Sequence, residues 1–222
     1  MNTGMQRRRL VLGLLLLIGA AMLLVWWLLR AVPSLQPAMA RHFGVRPAPR
    51  TFYDKLAYAA EDIVDPTIVY DPAYTRIPYP GGDVSPQRGV CADVVIRAYR
   101  KLGIDLQVRV HEDMQRHFSA YPRMWHLSRP DPSIDHRRVF NLATYFKRHG
   151  KTLACTTRSA DYHPGDIVVW RVANQGHIGI VSSLRNDADT RYLIVHNIGA
   201  GQVLEDVLFA FPIIGHYRYA PR

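Results

Sequence analysis

The chain has few cysteines and lacks the common nucleotide-binding motifs. Two cysteines among 222 residues are too few for a dense disulfide framework or for a zinc site of four cysteines. The sequence contains neither a Walker loop nor a dinucleotide-type Gly-x-Gly-x-x-Gly. It also has no internal repeat and no low-complexity tract. Hydrophobic residues make up 48% and charged residues 21%, which is ordinary globular composition and excludes global disorder.

Basic residues outnumber acidic residues in the chain as a whole. The chain has 28 Lys and Arg against 18 Asp and Glu, a formal net charge of +10. Such an excess favours anionic surroundings, such as phospholipid, acidic wall polymers or nucleic acid. No basic helix with interleaved aromatic residues is present, so nucleic acid is not an expected partner.

Charge is missing altogether from the twenty residues Leu10 to Leu29, which Arg7–Arg9 precede and Arg30 follows. A helix of this length spans about 30 Å, the thickness of the hydrocarbon core. Residues 1–30 therefore predict a signal anchor in the inner (cytoplasmic) membrane, with the domain on the periplasmic side. The alternative is a cleaved signal peptide ending at Ala38-Met39-Ala40 and a secreted protein. Both interpretations export the domain.

The remaining chain predicts a linker followed by one α+β domain. Residues 31–51 contain four prolines and no hydrophobic period, which indicates a linker. Residues 52–222 begin with helical periods and continue, after residue 160, with extended β-branched and aromatic runs. The first predicted helix begins at Phe52, after the N-cap Thr51, and is ended by Asp65-Pro66. The other predicted helices cover Cys91–Leu102, Gln107–Phe118 and Asn141–His149. The predicted strands are Asp166–Trp170, His177–Ser182, Tyr192–His196 and Ile213–Tyr219, in a meandering antiparallel sheet.

Three residues at element ends suggest thiol chemistry. Cys91 opens a helix, where unpaired N–H groups and the helix dipole favour a thiolate. His177 begins a strand and His196 ends the next, so His196 can orient His177, which in turn deprotonates Cys91. The alternative is a small core cysteine with two structural histidines. Cys155 is predicted to be a core or strand residue, so that alkylation near pH 6 should select Cys91.

Other polar residues are weaker candidates. The segments that contain His111, Asp135 and Arg137 carry metal-ligand types but lack His-Glu-x-x-His spacing. The preferred interpretation is a surface salt-bridge cluster, followed by substrate contacts that line a cleft, and a metal site ranks last. The sequence implies no cofactor. Asp83 is either a cleft residue or a simple turn residue. Asn197 should point to the strand face opposite His196 and ranks below it as the orienting group.

The order of the segments around Cys91, His177 and His196 resembles that of NlpC-type papain-fold cysteine peptidases. The matching parts are the cysteine at a helix start, Pro164–Trp170, His177–Val181 and Ile194–His196. The resemblance implies a papain-like fold with Cys91 as nucleophile, His177 as base and His196 as orienting residue. The peptidases that cleave the cell wall carry Asp-Cys-Ser-Gly at the nucleophile, whereas this chain has Val-Cys-Ala-Asp. The catalytic residues therefore carry over and the substrate contacts do not.

A closer resemblance, across roughly residues 52–219, is to the bacterial YijF-like family, labelled a domain of unknown function. The matching stretches are Gly89–Arg100, Val110–Met114, Ile134–Val139, Val195–Gly199 and Gly215–Arg218. We therefore predict an envelope cysteine hydrolase that cleaves an amide bond in peptidoglycan stem peptides, as an endopeptidase or amidase, with peptidoglycan or another anionic envelope polymer as its partner. The alternatives are a non-catalytic envelope binding module of the same fold, and a thiol acyltransferase or thioesterase acting on lipid.

Overall fold

A computed structural model describes residues 46–124 and 128–221 of the chain. The helices are α1 (Phe52–Glu61), α2 (Cys91–Lys101), α3 (Leu106–His117) and α4 (Val139–His149). The strands are β1 (Val69–Tyr70), β2 (Arg88–Gly89), β3 (Lys151–Thr152), β4 (Ile167–Val172), β5 (Gln175–Arg185), β6 (Tyr192–His196), β7 (Val203–Glu205) and β8 (Ile213–Arg218). Short 3-10 turns lie at Phe118–Ala120, Asp135–Arg137 and Ser159–Asp161.

The helices begin close to where their local signals predict. The Thr51 side chain accepts the N–H of Asp54, and the Asp54 carboxylate accepts the N–H of Thr51, which fixes the first turn of α1. Helix α1 ends at Glu61, earlier than the predicted Asp65-Pro66. Helix α2 starts at Cys91 itself, and Gly103 follows it with φ of 77°, a conformation that glycine adopts without steric cost.

The larger sheet confirms the α+β class. Six strands run in the order β3-β8-β4-β5-β6-β7, and every neighbouring pair is antiparallel. Strands β4, β5 and β6 follow one another as predicted, whereas the predicted last strand of the meander, β8, crosses back to pair with β4, and β7 takes the place beside β6. The sequence did not predict the edge strands β3 and β7, because two and three residues are too short to show an alternating period.

Apolar side chains cover both faces of this sheet. On one face, α1, α2 and α4 bury Leu56, Val94 and Phe146 against Ile178 and Ile180. On the other face, a smaller cluster surrounds Trp170, with Val181, Ile194 and Leu208 as its main members. The helix face therefore brings the start of α2 against the middle strand β5, where the predicted base lies.

The predicted anchor at residues 10–29 and the linker up to residue 45 lie outside the described residues. Within residues 46–124 and 128–221, no helix is long and apolar enough to cross a membrane.

Candidate active site

The first turn of α2 holds Cys91 in a fixed position. Val90 is the N-cap, and its N–H donates to Asp93 Oδ2 over 2.7 Å. The backbone N–H groups of Ile178 in β5, and of Cys91 and Ala92 at the helix start, act to lower the pKa of the Cys91 thiol. Cys91 is therefore seated where a helix N-terminus meets β5, the strand that carries the predicted base His177 as its third residue.

The resting thiol differs from the sequence prediction. Burial raises the pKa of Cys91 to about 11, because loss of hydration penalises the thiolate more than the N–H groups of Ile178 and the helix start stabilise it. Only 4% of the residue is exposed. The expectation of a depressed pKa was wrong, because the sequence shows the helix terminus but not the packing above it.

The two predicted histidines are in contact. His177 Nε2 lies 2.9 Å from His196 Nδ1, and the rings are 5.1 Å apart. The cross-strand neighbour Trp170 borders His177 on the other side, at 5.6 Å between ring centroids. Both histidines are buried, at 4% and 0% exposure. The sequence correctly predicted this pairing from the ends of two consecutive strands.

Gly179 lets the two strands approach closely enough for that contact. A Cβ atom at this position would lie 2.7 Å from Ile194 Cγ2, 2.9 Å from the Val195 carbonyl oxygen and 3.2 Å from His196 Cβ. Any larger residue would force β6 away from β5. Gly179, the glycine of the His-Ile-Gly-Ile segment, therefore allows β6 to lie close enough for His196 to contact His177.

Glu205 is a member of the site that the sequence reasoning missed. Its Oε2 atom lies 2.9 Å from His196 Nε2. Glu205 ends the three-residue strand β7, which pairs with β6 so that Glu205 lies opposite Ile194 and diagonal to His196. Asn197, the other candidate, instead donates to the Gly89 carbonyl over 3.4 Å and so contacts the end of β2, two residues before Cys91.

Both histidines are neutral near pH 7. Burial, with a smaller contribution from the nearby His196, lowers the pKa of His177 to about 3. Burial also lowers the pKa of His196, although the Glu205 carboxylate opposes the shift. The resting site is thus an uncharged thiol beside an uncharged pair of imidazoles, with one carboxylate at its outer end.

Arg137 has a structural role beside the first turn of α2. Its Nε and Nη2 atoms donate to Asp93 over 2.8 and 2.9 Å, and both side chains are buried. Because Asp93 also accepts the Val90 N–H, the ion pair ties the turn before α4 to the first turn of α2. The start of α4 also meets β5, since a Cβ at Gly176 would lie 3.1 Å from Val139 Cγ1.

His111 and Asp135 form part of a buried cluster, which corrects the predicted surface location. His111 Nδ1 lies 3.9 Å from Asp135 Oδ2, and both residues are buried. Burial raises the pKa of Asp135 to about 6. Helix and turn residues cover these side chains, which the sequence alone did not show. In the described part of the chain, no group of three or more His, Cys, Asp or Glu residues is arranged to hold a metal ion.

Asp83 contacts the second half of α2 and not the end that bears Cys91. Its carboxylate pairs with Arg97 over 3.1 Å and with Arg100 over 2.8 Å. These residues line a groove of about 660 Å³ together with Gln202, and Cys91 is not among the lining residues. Asp83 therefore ties the loop before β2 to the second half of α2.

Cys155 is exposed and free, not a core or strand residue as predicted. It lies after the short strand β3, in a segment without regular structure. Selective alkylation of Cys91 is consequently not expected in the resting protein.

The comparisons with known proteins place the chain in a family. Residues 57–219 match the model of DUF1287, described as a domain of unknown function. The Escherichia coli (strain K12) "Uncharacterized protein YijF" is 53% identical over 165 residues, which cover 74% of this chain and 80% of that protein. The chain belongs to the YijF-like DUF1287 family. The range matched by the family model, residues 57–219, contains Cys91, both histidines and Glu205.

Proposed function

We propose that this domain is a cysteine hydrolase of amide bonds, with Cys91 as nucleophile, His177 as general base and His196 as the residue that orients the base. The observation that carries the proposal is the 2.9 Å contact between the two histidines on strands adjacent to the helix start that bears Cys91. A nucleophile, a base and a group that orients the base are the requirements of acyl transfer by a thiol.

The arrangement of the domain supports a place among papain-fold peptidases of the NlpC type. A cysteine opens a helix, that helix packs on an antiparallel sheet, and the base lies at the start of the strand it faces. The segment order along the chain is the one that suggested the resemblance. This superfamily placement is part of the proposal.

The resting protonation states favour general-base catalysis over a preformed ion pair. With the pKa of Cys91 near 11 and that of His177 near 3, the thiol keeps its proton until a substrate carbonyl is in place. As the sulfur–carbon bond forms, the proton passes to His177, and it then moves to the leaving amine as the carbon–nitrogen bond breaks. Water, deprotonated by the same histidine, hydrolyses the thioester and restores the thiol.

N–H groups near the sulfur can stabilise the tetrahedral intermediate. The Ala92 N–H belongs to the first turn of α2, and the Ile178 N–H reaches the sulfur from β5. Donors of this kind, fixed at the reaction centre, stabilise the negative oxygen that develops during acyl transfer.

We propose peptidoglycan stem peptides as the substrate class and the outer side of the inner membrane as the location. The charge of +10 favours an anionic polymer. The uncharged run at residues 10–29, with arginines on both sides, fits an anchor that keeps the domain near the cell wall.

Digestion of purified peptidoglycan by the full-length protein in mild detergent tests this function. We expect products whose masses show one hydrolysed amide bond, formed by the wild type and by the control Cys155→Ser but not by Cys91→Ser. Equal digestion by Cys91→Ser would contradict the proposed nucleophile. Absence of products with any variant would contradict the substrate class.

A second candidate is a non-catalytic binding module of the same fold. The burial and raised pKa of Cys91 favour it, since a structural cysteine is buried and protonated. Binding of peptidoglycan without cleavage, unchanged in Cys91→Ser, would support this alternative over the hydrolase.

A further inference from the structure

Glu205, His196 and His177 form one continuous line of hydrogen bonds. His196 Nε2 contacts the carboxylate over 2.9 Å, and His196 Nδ1 contacts His177 Nε2 over 2.9 Å. Each of these three ring nitrogens thus has one partner along the line, and the Glu205 side chain, 41% exposed, forms its outer end.

The hydrogen bonds along this line have a fixed donor-to-acceptor direction, because the Glu205 carboxylate at the outer end can only accept a hydrogen bond. An ionised carboxylate has no proton to donate, so His196 must donate from Nε2. A neutral imidazole carries one N–H, so His196 Nδ1 must accept. His177 then has to donate from its own Nε2. The lone pair of His177 is consequently on Nδ1, the nitrogen that His196 does not contact.

Without an acceptor at position 205, the opposite arrangement becomes available. His196 can then carry its proton on Nδ1 and donate it to His177 Nε2. In that arrangement the N–H of His177 is on Nδ1, and this nitrogen has no lone pair with which to accept a proton. The two arrangements use the same atoms and distances and differ only in the position of two protons.

We infer that Glu205 is a positioning residue that selects the Nε2–H tautomer of both histidines and so leaves His177 Nδ1 free to act as a base. The catalytic use of this tautomer rests on the proposed function, whereas the tautomer itself does not. Glu205 acts through His196 and is not expected to touch the substrate. Its carboxylate also favours the positive charge that His177 gains when it accepts a proton.

Nitrogen-15 NMR of the histidine side chains tests this inference. We would use the full-length protein in detergent near pH 7.5, with His177 and His196 assigned through single substitutions. Protonated and lone-pair ring nitrogens have distinct shifts, so the spectrum identifies the tautomer directly. A purely structural role of Glu205 would leave these signals unchanged.

The substitution Glu205→Met removes the acceptor while keeping an unbranched side chain. The matched control is Asp206→Asn, which removes a neighbouring acidic charge that pairs with Arg191 and does not contact His196. We expect the Nε2–H pattern for both histidines in the wild type and in Asp206→Asn. In Glu205→Met we expect His196 to lose the single-tautomer pattern and His177 to change with it.

Two results would overturn the inference. One is a wild-type His196 that carries its proton on Nδ1, a measurement that requires no variant to fold. The other is a folded Glu205→Met protein in which both tautomers are unchanged. Peptidoglycan digestion separates this inference from the proposed function. Hydrolysis that depends on Cys91 and His177, together with the wrong tautomer, would refute the role of Glu205 alone.

Discussion

Two buried polar regions flank the start of α2, and they differ in how their hydrogen bonds are arranged. The sheet-side line, which consists of His177, His196 and Glu205, connects one donor to one acceptor at each step. The register of three neighbouring antiparallel strands sets its geometry. A region of this kind can hold a proton at a defined atom.

The helix-side cluster is built differently. It consists of Asp93, Asp135, His136, Arg137 and Asn141, and its strongest contact is the bidentate ion pair between Asp93 and Arg137. Four of its members each have one buried side-chain atom without a hydrogen-bond partner among the described residues. Buried orphan atoms of this kind are normally satisfied by ordered water. The sheet-side line therefore fixes the orientation of His177 and His196, while the helix-side cluster holds the helix that carries Cys91.

The largest expected effect is on stability and tests the role of the helix-side cluster. Replacement of Arg137 by methionine leaves the Asp93 carboxylate buried without its partner. We expect a loss of about 3–5 kcal/mol in the free energy of unfolding. Chemical unfolding of the full-length protein in detergent, followed by tryptophan fluorescence, measures it.

The control for this substitution is Arg88→Met. It removes an ion pair with Asp71 in which the arginine side chain is 61% exposed, so we expect a change of at most about 1 kcal/mol. Equal losses in the two variants would show that the buried pair does not hold the helix start in the way described.

The next effect concerns the close approach of β5 and β6. In Gly179→Ala the new methyl group meets backbone and side-chain atoms of β6 at less than 3.0 Å. We expect a loss of about 1–3 kcal/mol in stability, typical of overpacking, together with loss of the contact between His177 and His196. Unfolding and histidine NMR would measure the two effects separately. A variant of wild-type stability with the histidine contact intact would contradict the steric account.

The two thiols should react in the opposite order from the one that the sequence suggests. Each unit of raised pKa lowers the thiolate fraction about tenfold. Burial raises the pKa of both thiols, but Cys91, with a pKa of about 11, lies in a buried site, whereas Cys155 is exposed. We expect iodoacetamide at pH 8 to modify Cys155 at least about tenfold faster. Peptide mass spectrometry measures both rates, and faster labelling of Cys91 would contradict the resting state described here.

A further expected effect is on the pH dependence of stability. The pKa of His136 falls from 6.5 to about 4 and that of His177 to about 3, both through burial. Between pH 6.5 and pH 4 the unfolded chain therefore binds protons that the folded protein does not. The free energy of unfolding should fall as the pH is lowered through this range. The raised pKa of Asp135, about 6, has the opposite sign and offsets part of this loss between about pH 6 and 3.8.

Single substitutions separate these contributions. In His136→Gln and in His177→Gln the slope of stability against pH should become shallower by up to about 1.4 kcal/mol per pH unit. Unfolding curves collected from pH 4.5 to 7 measure the slope. A slope equal to that of the wild type in either variant would contradict the assignment of that histidine as buried and neutral.

The sequence predicted those features of the site that depend on local signals. Cys91 lies at a helix start because the helical period begins there, and His177 meets His196 because consecutive antiparallel strands place the start of one strand beside the end of the next. Glu205 gave no such signal, since it lies on a three-residue strand. The pair between Asp93 and Arg137 joins residues 44 positions apart, a separation that one sequence cannot resolve.

The electrostatic predictions failed for a related reason. A helix terminus favours a thiolate by a fraction of a kcal/mol to about 2 kcal/mol, whereas burial can raise a pKa by several units. The first effect is visible in the sequence around Cys91, and the second depends on residues brought from β5. Cys155 was misplaced in the same way, because an apolar neighbour in sequence does not guarantee burial.

Trapping of the acyl-enzyme tests the central claim most directly. The full-length protein would be mixed with soluble peptidoglycan stem peptides, quenched in acid to preserve a thioester, digested and analysed by mass spectrometry. We predict a stem-peptide adduct on Cys91 that is absent from Cys91→Ser and strongly reduced in His177→Ala. An adduct on Cys155, or hydrolysed product without any adduct on Cys91 at any quench time, would contradict the assignment of Cys91 as the nucleophile.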